Sequence, residues 1–181
     1  MQPKFTQMAY ICQNVELEIM YKSFVRPSME YANVVWGGSY DSDILKLESI
    51  QIDAIGLITG ATARSNIVNL YQEVNLPTIR TRIDNASLIM MYKVLNGLAP
   101  SYLNDLVEKE EQERPYNLRL RNPLKVPFCR LETFKGSFIP RTVKHWNNLP
   151  FVIKSAASLN EFKSKYKPEL TDTILLFYYA S

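Results

Sequence analysis

The stretch 79–96, IRTRIDNASLIMMYKVLN, decides the fold class of this chain. Thr78 precedes it as a helix N-cap and Gly97 ends it, so both boundaries carry helix signals. An apolar arc of the width found here predicts a helix that is buried on more than one side. The arc consists of two adjacent stripes at helical spacing, namely Ile79, Ile83, Ala86, Met90 and Val94, and Leu88, Met91 and Leu95.

Four more helices are predicted upstream of this stretch, over 14–26, 27–36, 41–59 and 66–74. Pro27 separates the first two, because proline lacks an amide proton and restrains the residue before it. The third begins at Asp41 or Ser42 as its cap and ends at Gly60, where a left-handed C-terminal cap is needed. Its predicted apolar face consists of Ile44, Leu47, Ile50, Ala54, Leu57 and Ile58.

Downstream, a short helix is predicted over 101–113, and the amino-acid composition changes after it. The segment 114–150, RPYNLRLRNPLKVPFCRLETFKGSFIPRTVKHWNNLP, is basic, aromatic and punctuated by prolines. The prolines exclude a long helix and predict short extended pieces, followed by short helices over 138–148 and 158–167.

These patterns together predict a mainly α chain, with a small helical bundle and a basic, proline-rich extension that carries short strands and short helices. The predicted segments are a lead-in at 1–13, the helical domain at 14–113, the extension at 114–150, and a C-terminal helix with a truncated tail at 151–181. No apolar run approaches the ~20 residues needed to cross a bilayer. Cys12 and Cys129 are expected to be reduced thiols of an intracellular protein, in the nucleus or the cytoplasm.

The net charge of +3 hides a strong asymmetry along the chain. Residues 1–113 hold nine Lys and Arg against fourteen Asp and Glu, whereas residues 114–145 hold eight against one. The local net charges are therefore −5 and +7, and the second of these predicts a surface for an anionic partner.

Residues for catalysis are missing from the sequence. His145 is the single histidine and stands beside Trp146, so it is interpreted as a packed or hydrogen-bonded imidazole. A Ser-His-Asp triad and a His/Cys metal site both lack residues. Asp41 and Asp43 have a spacing that can hold magnesium, but helix capping explains them. We therefore expect no cofactor and no catalytic residue.

The candidate nucleic-acid-binding residues are the eight cations of the basic stretch, Arg114, Arg119, Arg121, Lys125, Arg130, Lys135, Arg141 and Lys144. They interleave with the aromatic residues Tyr116, Phe128, Phe134, Phe138 and Trp146. Lys and Arg neutralise phosphates, and flat rings stack on unpaired bases. In the alternative interpretation, the rings belong to the core and the cations are its solvated flanks.

Seven segments occur in a fixed order along the chain, namely YKSFVRPSMEYANVVW at 21–36, LESIQ at 47–51, ITGAT at 58–62, LIMMYKVLNGLAPSYL at 88–103, VPFCR at 126–130, SFIPRTVKHWNNLP at 137–150 and SLNEFK at 158–163. In this order, they resemble the region that follows the polymerase palm in reverse transcriptases of non-LTR (LINE-type) retrotransposons, of the jockey and CR1 kind. The resemblance is collinear over about 21–167, which is most of the chain.

This resemblance implies a thumb-like helical domain that helps to hold an RNA/DNA template–primer beside an upstream polymerase palm. It also implies that Phe138, Trp146 and Leu149 dock the extension onto the helices. The aromatic-Ala-Asp-Asp motif of the family is absent, so we expect a non-catalytic fragment of an RNA-directed DNA polymerase, because two-metal phosphoryl transfer needs those carboxylates. The alternatives are a helical protein-interaction or structural module and a non-functional remnant of a mobile element.

Overall fold

Helices make up most of the described part of the chain, which in this computed structural model comprises residues 14–62, 65–109 and 124–166. The prediction of a mainly α chain is confirmed. The helices are α1 (Asn14–Met20), α2 (Arg26–Glu30), α3 (Asn33–Trp36), α4 (Asp41–Thr59), α5 (Ile67–Val74), α6 (Ile79–Leu95), α7 (Ser101–Asn104), α8 (Glu132–Gly136), α9 (Phe138–Asn148), α10 (Phe151–Lys154) and α11 (Leu159–Lys165). A π-helical turn, Tyr21–Val25, joins α1 to α2. None of the helices within these ranges is long and apolar enough to cross a membrane.

The chain divides into two compact units. The described residues of the first unit are 14–33, 40–62 and 65–82, and those of the second are 34–39, 83–109 and 124–166. The division falls inside α6, between Arg82 and Ile83. It differs from the predicted segmentation, in which the helical domain extends to residue 113. The predicted lead-in at 1–13 and the tail beyond 166 lie outside the described residues.

Helix α6 confirms the prediction from the two apolar stripes. No residue from Thr78 to Leu95 is solvent-exposed. A helix with a single apolar stripe would leave its opposite face in water, so the wide arc in the sequence agrees with a helix whose positions are all buried or half-buried.

The break predicted at Pro27 is replaced by the π-helical turn. The Arg26 N–H donates to the carbonyl of Tyr21, five residues earlier. In a regular α-helix, the proline ring would clash with the carbonyl four residues before it. The wider turn before Pro27 relieves that clash, so the helical path continues and ends after Glu30.

Helix α4 ends as predicted but faces the core differently. Gly60 takes the left-handed C-cap conformation, with φ at 66°. Leu47, Ile50 and Leu57, predicted for the apolar face, are only half-buried. The prediction is wrong there because two polar residues with partners inside the unit occupy the inner face. Its buried residues are Ile44, Glu48, Gln51, Ala54, Ile55 and Ile58.

The N-terminus of α4 also differs from the prediction of an Asp41 or Ser42 cap. Tyr40 is the N-cap residue and makes no side-chain cap hydrogen bond. Asp41 and Asp43 lie in the first turn, where the helix dipole favours carboxylates. Asp41 forms an ion pair with Arg80. The two carboxylates therefore have electrostatic roles at a helix start.

The core of the first unit joins α1, the π-helical turn, α4 and α5. Tyr21 and Ile55 are completely buried in it. Its buried members are Leu17, Tyr21, Ala54, Ile55, Ile58, Tyr71, Val74 and Leu76.

The core of the second unit is built around Phe162. Its ring lies 4.7 Å from the ring of Tyr92 and 5.8 Å from that of Trp146, both in stacked arrangements. The Tyr92 hydroxyl donates to the Ala156 carbonyl at 2.8 Å, so its polar end is satisfied. The buried members of this cluster are Leu88, Met91, Tyr92, Leu124, Val143, Trp146, Ala156 and Phe162.

The predicted short strands are not confirmed among the described residues of the extension. Pairing there is limited to one isolated antiparallel bridge between Lys109 and Leu124. The N–H and C=O groups of Leu124 bond to a side chain instead of a neighbouring strand. Pro127 then offers no N–H, so a ladder cannot continue.

Candidate nucleic-acid interface

The described part of the basic stretch begins at two anchored residues. The Asn147 side chain, near the end of α9, accepts from the Leu124 N–H at 2.9 Å and donates to the Leu124 carbonyl at 2.8 Å. The Lys125 N–H donates to the Glu108 carbonyl at 2.9 Å. These three bonds fix the point at which the chain leaves the core of the second unit.

Replacing Asn147 by Ala should release this anchor. Both main-chain groups of the buried Leu124 would lose their partner, at a cost of ~1–3 kcal/mol per unsatisfied group. We expect faster amide hydrogen exchange at Leu124 and a lower unfolding midpoint of the second unit, which contains both tryptophans and is therefore followed by their fluorescence. The exposed neighbour Asn148, changed to Ala, is the control. Equal exchange at Leu124 in both variants would contradict the anchoring role.

The far end of the same stretch is held by a close approach of two main chains. A Cβ at Gly136 would lie 2.6 Å from the Gly38 carbonyl oxygen, and a Cβ at Gly38 would overlap Gly136 in turn. Only glycine fits both positions. Residues 124–136 are therefore anchored at their start by Asn147, and their end packs closely against Gly38.

Between these two anchors lies a run of apolar side chains in solvent. Phe128 is 86% exposed, Leu131 67% and Phe134 47%. We call residues 126–134 the exposed segment. Several exposed apolar side chains within nine residues favour an interaction site, because large exposed apolar patches commonly mark such sites.

The described aromatic residues of the basic stretch thus divide into two groups, and Tyr116 lies outside the described residues. Phe138 and Trp146 pack in the core cluster of the second unit together with the aliphatic Leu149, and the predicted docking role is confirmed for these three residues. Phe128 and Phe134 are outside it. The interpretation of all rings as core therefore holds for the first group and is wrong for the second.

Five of the eight candidate cations lie in the described residues. Arg130 and Lys144 are exposed, and their side chains make no hydrogen bond or ion pair with any other described residue. Arg130 follows Phe128 by two positions in the exposed segment, so a cation and an exposed ring are neighbours there. Arg114, Arg119 and Arg121 lie outside the described residues.

Lys125 and Lys135 have carboxylate partners at the surface. The Lys125 ammonium lies 2.6 Å from Glu108, and the Lys135 ammonium lies 3.1 Å from Glu132. Exposed pairs of this kind contribute only ~0–1 kcal/mol, so a phosphate can compete for either lysine at little cost. Over residues 124–144, five Lys and Arg stand against one Glu, and the local field is positive.

Arg141 is placed differently from the other candidates. It is half-buried on α9, and its guanidinium donates to the Ser87 hydroxyl at 3.1 Å and to the Val34 carbonyl at 3.4 Å. These bonds link α9 to α6 and α3 inside the second unit. The structure therefore gives Arg141 a packing role, whereas the sequence predicted a contact with phosphate.

His145 and Cys129 were singled out in the sequence, and neither contributes a catalytic arrangement among the described residues. The imidazole is exposed, and its Nδ1 lies 3.8 Å from the Asp84 carboxylate, beyond hydrogen-bond distance. The prediction of a packed or hydrogen-bonded histidine is thus wrong, because His145 faces away from the core that buries Trp146. The half-buried Cys129 thiol donates to the Pro127 carbonyl at 3.2 Å.

A buried polar cluster in the first unit was not predicted. Glu48 accepts from the Ile79 N–H at 2.8 Å, and so caps α6 from another helix, and it also accepts from the Tyr71 hydroxyl. Gln51, completely buried, accepts from the Tyr21 hydroxyl at 2.7 Å and from Arg82. The available signal was the spacing of Glu48 and Gln51 on the same helical face as Ile44 and Ile55.

Burial controls the protonation of this cluster. Desolvation raises the pKa of Glu48 above the ordinary value of 4.5, although hydrogen bonds from Tyr71 and Ile79 and the charge of Arg82 act in the opposite direction. Desolvation likewise raises the pKa of the Tyr21 hydroxyl, against the lowering effect of Arg82. Glu48, Gln51 and the hydroxyls of Tyr21 and Tyr71 all have hydrogen-bond partners within the unit, so the cluster is organised to hold helices together.

Metal ligands are not assembled in the part of the chain that the structure describes, where no group of three or more His, Cys, Asp or Glu is arranged to hold an ion. The candidate site that the described residues offer is the exposed segment with its flanking cations. No family model, curated protein or solved structure matches this chain.

Proposed function

We propose that this chain is a non-catalytic nucleic-acid-binding module that corresponds to the thumb and post-thumb region of a LINE-type reverse transcriptase. In that role, it helps to hold an RNA/DNA template–primer beside a polymerase palm. The observation that carries the proposal is the exposure of Phe128 and Phe134 among Lys125, Arg130 and Lys135. Cations for phosphates and rings for bases are the two components that nucleic-acid surfaces combine.

The charge distribution supports this proposal. Residues 114–145 carry a local net charge of +7, and the Lys125–Glu108 and Lys135–Glu132 ion pairs lie at the surface. A positive surface that is not neutralised by buried partners attracts polyanions and raises their association rate.

The collinear resemblance is the second support, because matched positions coincide with residues that organise the fold. In the segment 137–150, Trp146 lies in the core and Asn147 anchors Leu124. In the segment 47–51, Glu48 and Gln51 form the buried polar cluster. The helices within residues 14–113 are the proposed thumb-like bundle, and residues 114–150 are the proposed basic extension.

Salt dependence tests the proposal. The affinity for a fluorescently labelled RNA/DNA hybrid primer–template, measured by anisotropy, should fall steeply with salt because bound cations release counterions from the phosphates. Replacing both Arg130 and Lys144 by Ala should reduce the slope of log K against log salt by ~0.9 for each phosphate that the variant no longer neutralises.

Lys163 provides the matched control for this experiment. It is an exposed lysine on α11, outside the basic stretch, and its change to Ala should leave the slope as in the unmodified chain. An unchanged slope in the Arg130/Lys144 double variant, or an equal reduction in the Lys163 variant, would remove these residues from the interface. Absence of binding at low salt would refute the proposal itself.

A protein-interaction module is the second candidate, and exposed apolar residues of the first unit favour it. Val15 and Ile19 are exposed one turn apart on α1, so they share a face. If that face binds a protein, changing both residues to Ser should abolish partner binding and leave nucleic-acid affinity intact. Retention of nucleic-acid binding in this variant separates the two functions.

A further inference from the structure

Phe128 has the most exposed large apolar side chain in the described ranges, at 86%. Its ring has no hydrogen-bonding group, so it cannot read the edges of base pairs in a groove. It can contact a nucleic acid only through its faces and its rim. A nucleic acid that binds this ring must therefore offer it a complementary flat surface.

Unpaired bases offer such a surface, and duplexes do not. In a duplex each base face is covered by its neighbours, and an inserted apolar side chain must first unstack a step at a cost of a few kcal/mol. In a single strand, the base faces are accessible, and stacking on an aromatic ring contributes ~1–3 kcal/mol per base.

From this difference we infer that the exposed segment binds single-stranded nucleic acid, with Phe128 stacked on an unpaired base and Lys125 and Arg130 on the adjacent phosphates. The two cations flank Phe128 at three positions before and two positions after it. This inference rests on the proposed function and makes it more specific, because it assigns the segment to the unpaired part of a template and not to the duplex.

The backbone of the exposed segment is pre-organised for this contact in the absence of nucleic acid. Asn147 holds Leu124, and the Gly136 main chain lies against Gly38. Pro127 has a restricted φ, and its carbonyl accepts from the Cys129 thiol on the far side of Phe128. A ring presented from a fixed backbone loses little conformational entropy on binding, so more of the stacking energy appears as affinity.

An abasic strand separates stacking from charge. Three labelled ligands of equal length would be compared by anisotropy, namely oligo(dT), the corresponding abasic strand and a duplex. The abasic strand keeps every phosphate and removes every base. The proteins are the unmodified chain, Phe128→Ala and the control Tyr102→Ala, which removes another exposed aromatic ring of the second unit outside the basic stretch.

The unmodified chain should bind oligo(dT) more tightly than either the abasic strand or the duplex. Phe128→Ala should weaken oligo(dT) binding roughly five- to hundredfold, the range that corresponds to the stacking of one base on one ring. It should leave abasic binding and the salt slope unchanged, because phenylalanine carries no charge. Tyr102→Ala should bind all three ligands as the unmodified chain does. An unchanged melting curve of Phe128→Ala confirms that it is folded.

Four results would overturn the inference. Equal weakening of abasic and oligo(dT) binding by Phe128→Ala means that the ring does not stack on bases. Tighter binding of the duplex than of oligo(dT) assigns the segment to paired nucleic acid and leaves the proposed function standing. Tighter binding to anionic lipid vesicles than to oligo(dT), abolished in Phe128→Ala, assigns it to a membrane surface. No salt-dependent binding to any of the three ligands or to the hybrid refutes the proposed function as well.

Discussion

Replacing Phe162 by Ala should lower the free energy of unfolding of the second unit by about 3–5 kcal/mol, the usual cost of removing a buried aromatic side chain. Phe162 is completely buried, and its ring stacks on Tyr92, Trp146 and Tyr166. The truncation removes all of this stacking together and leaves a cavity between α6, α9 and α11. The loss is a large fraction of the 5–15 kcal/mol by which domains are typically stable.

The same substitution at an exposed ring is the control. Phe128→Ala removes identical atoms from a side chain that is largely in solvent, so its effect should stay within about 0.5 kcal/mol. Urea denaturation followed by tryptophan fluorescence measures both variants, since Trp36 and Trp146 lie in the second unit. Similar midpoints for the two variants would show that the stacked cluster does not hold the unit together.

Glu48→Ala should strongly destabilise the first unit. It removes the acceptor of the Ile79 N–H, at the start of α6, and of the Tyr71 hydroxyl. Each buried donor left without a partner costs ~1–3 kcal/mol, so we expect a loss of about 3 kcal/mol in total. Amide hydrogen exchange at Ile79 reports the loss of the cap directly, and Glu73→Ala, at an exposed glutamate on α5, is the matched control. Unchanged protection of the Ile79 amide would contradict the capping role.

The contribution of Glu48 to folding stability should change with pH in a defined direction. Because burial raises its pKa in the folded state, the folded chain binds this proton more tightly than the unfolded chain does. The contribution of Glu48 to stability is therefore complete below the ordinary value of 4.5 and is lost as the pH rises through the folded-state pKa. Relative to Glu48→Gln, which cannot ionise, the unmodified chain should lose stability over that window. If the difference in the free energy of unfolding between the unmodified chain and Glu48→Gln does not change with pH, Glu48 has the same pKa in the folded and the unfolded chain.

Regular helices with a continuous apolar pattern were predictable from the sequence. The two stripes over 79–96 are typical of a helix buried around its circumference, and α6 has that burial. Gly60 was predictable for a different reason, since the left-handed cap conformation is strained for residues with a side chain. In both cases, a local physical requirement dictates the residue type.

The inner face of α4 was not predictable from hydrophobic periodicity. That pattern assigns polar side chains to the solvent face, whereas Glu48 and Gln51 are buried because partners from α5 and α6 satisfy them. Those partners are distant in sequence, and no local pattern signals them. The π-helical turn before Pro27 was missed for a similar reason, because a proline in a helical pattern is consistent with either a break or a local widening.

The residue types of the candidate interface were predictable from the sequence. Which of its side chains are buried and which are exposed was not. Phe138 and Trp146 lie on a regular helix whose buried face also includes Val143, a pattern typical of core residues. Phe128 lies in irregular backbone, where periodicity gives no information about burial. The inward placement of Arg141 likewise depends on Ser87 and Val34, which are far away in the sequence.

Photo-crosslinking of the intact chain to a single-stranded oligonucleotide, followed by mass spectrometry of tryptic peptides, tests the central claim most directly. Trypsin cleaves after Lys125 and Arg130, so Phe128 and Cys129 are released in the short peptide 126–130. We predict that the crosslinks concentrate in this peptide and in its neighbour 131–135, and that high salt abolishes them. Crosslinks confined to residues 14–62, or none at salt concentrations where binding is measured, would contradict the assignment of the basic, aromatic surface as the nucleic-acid interface.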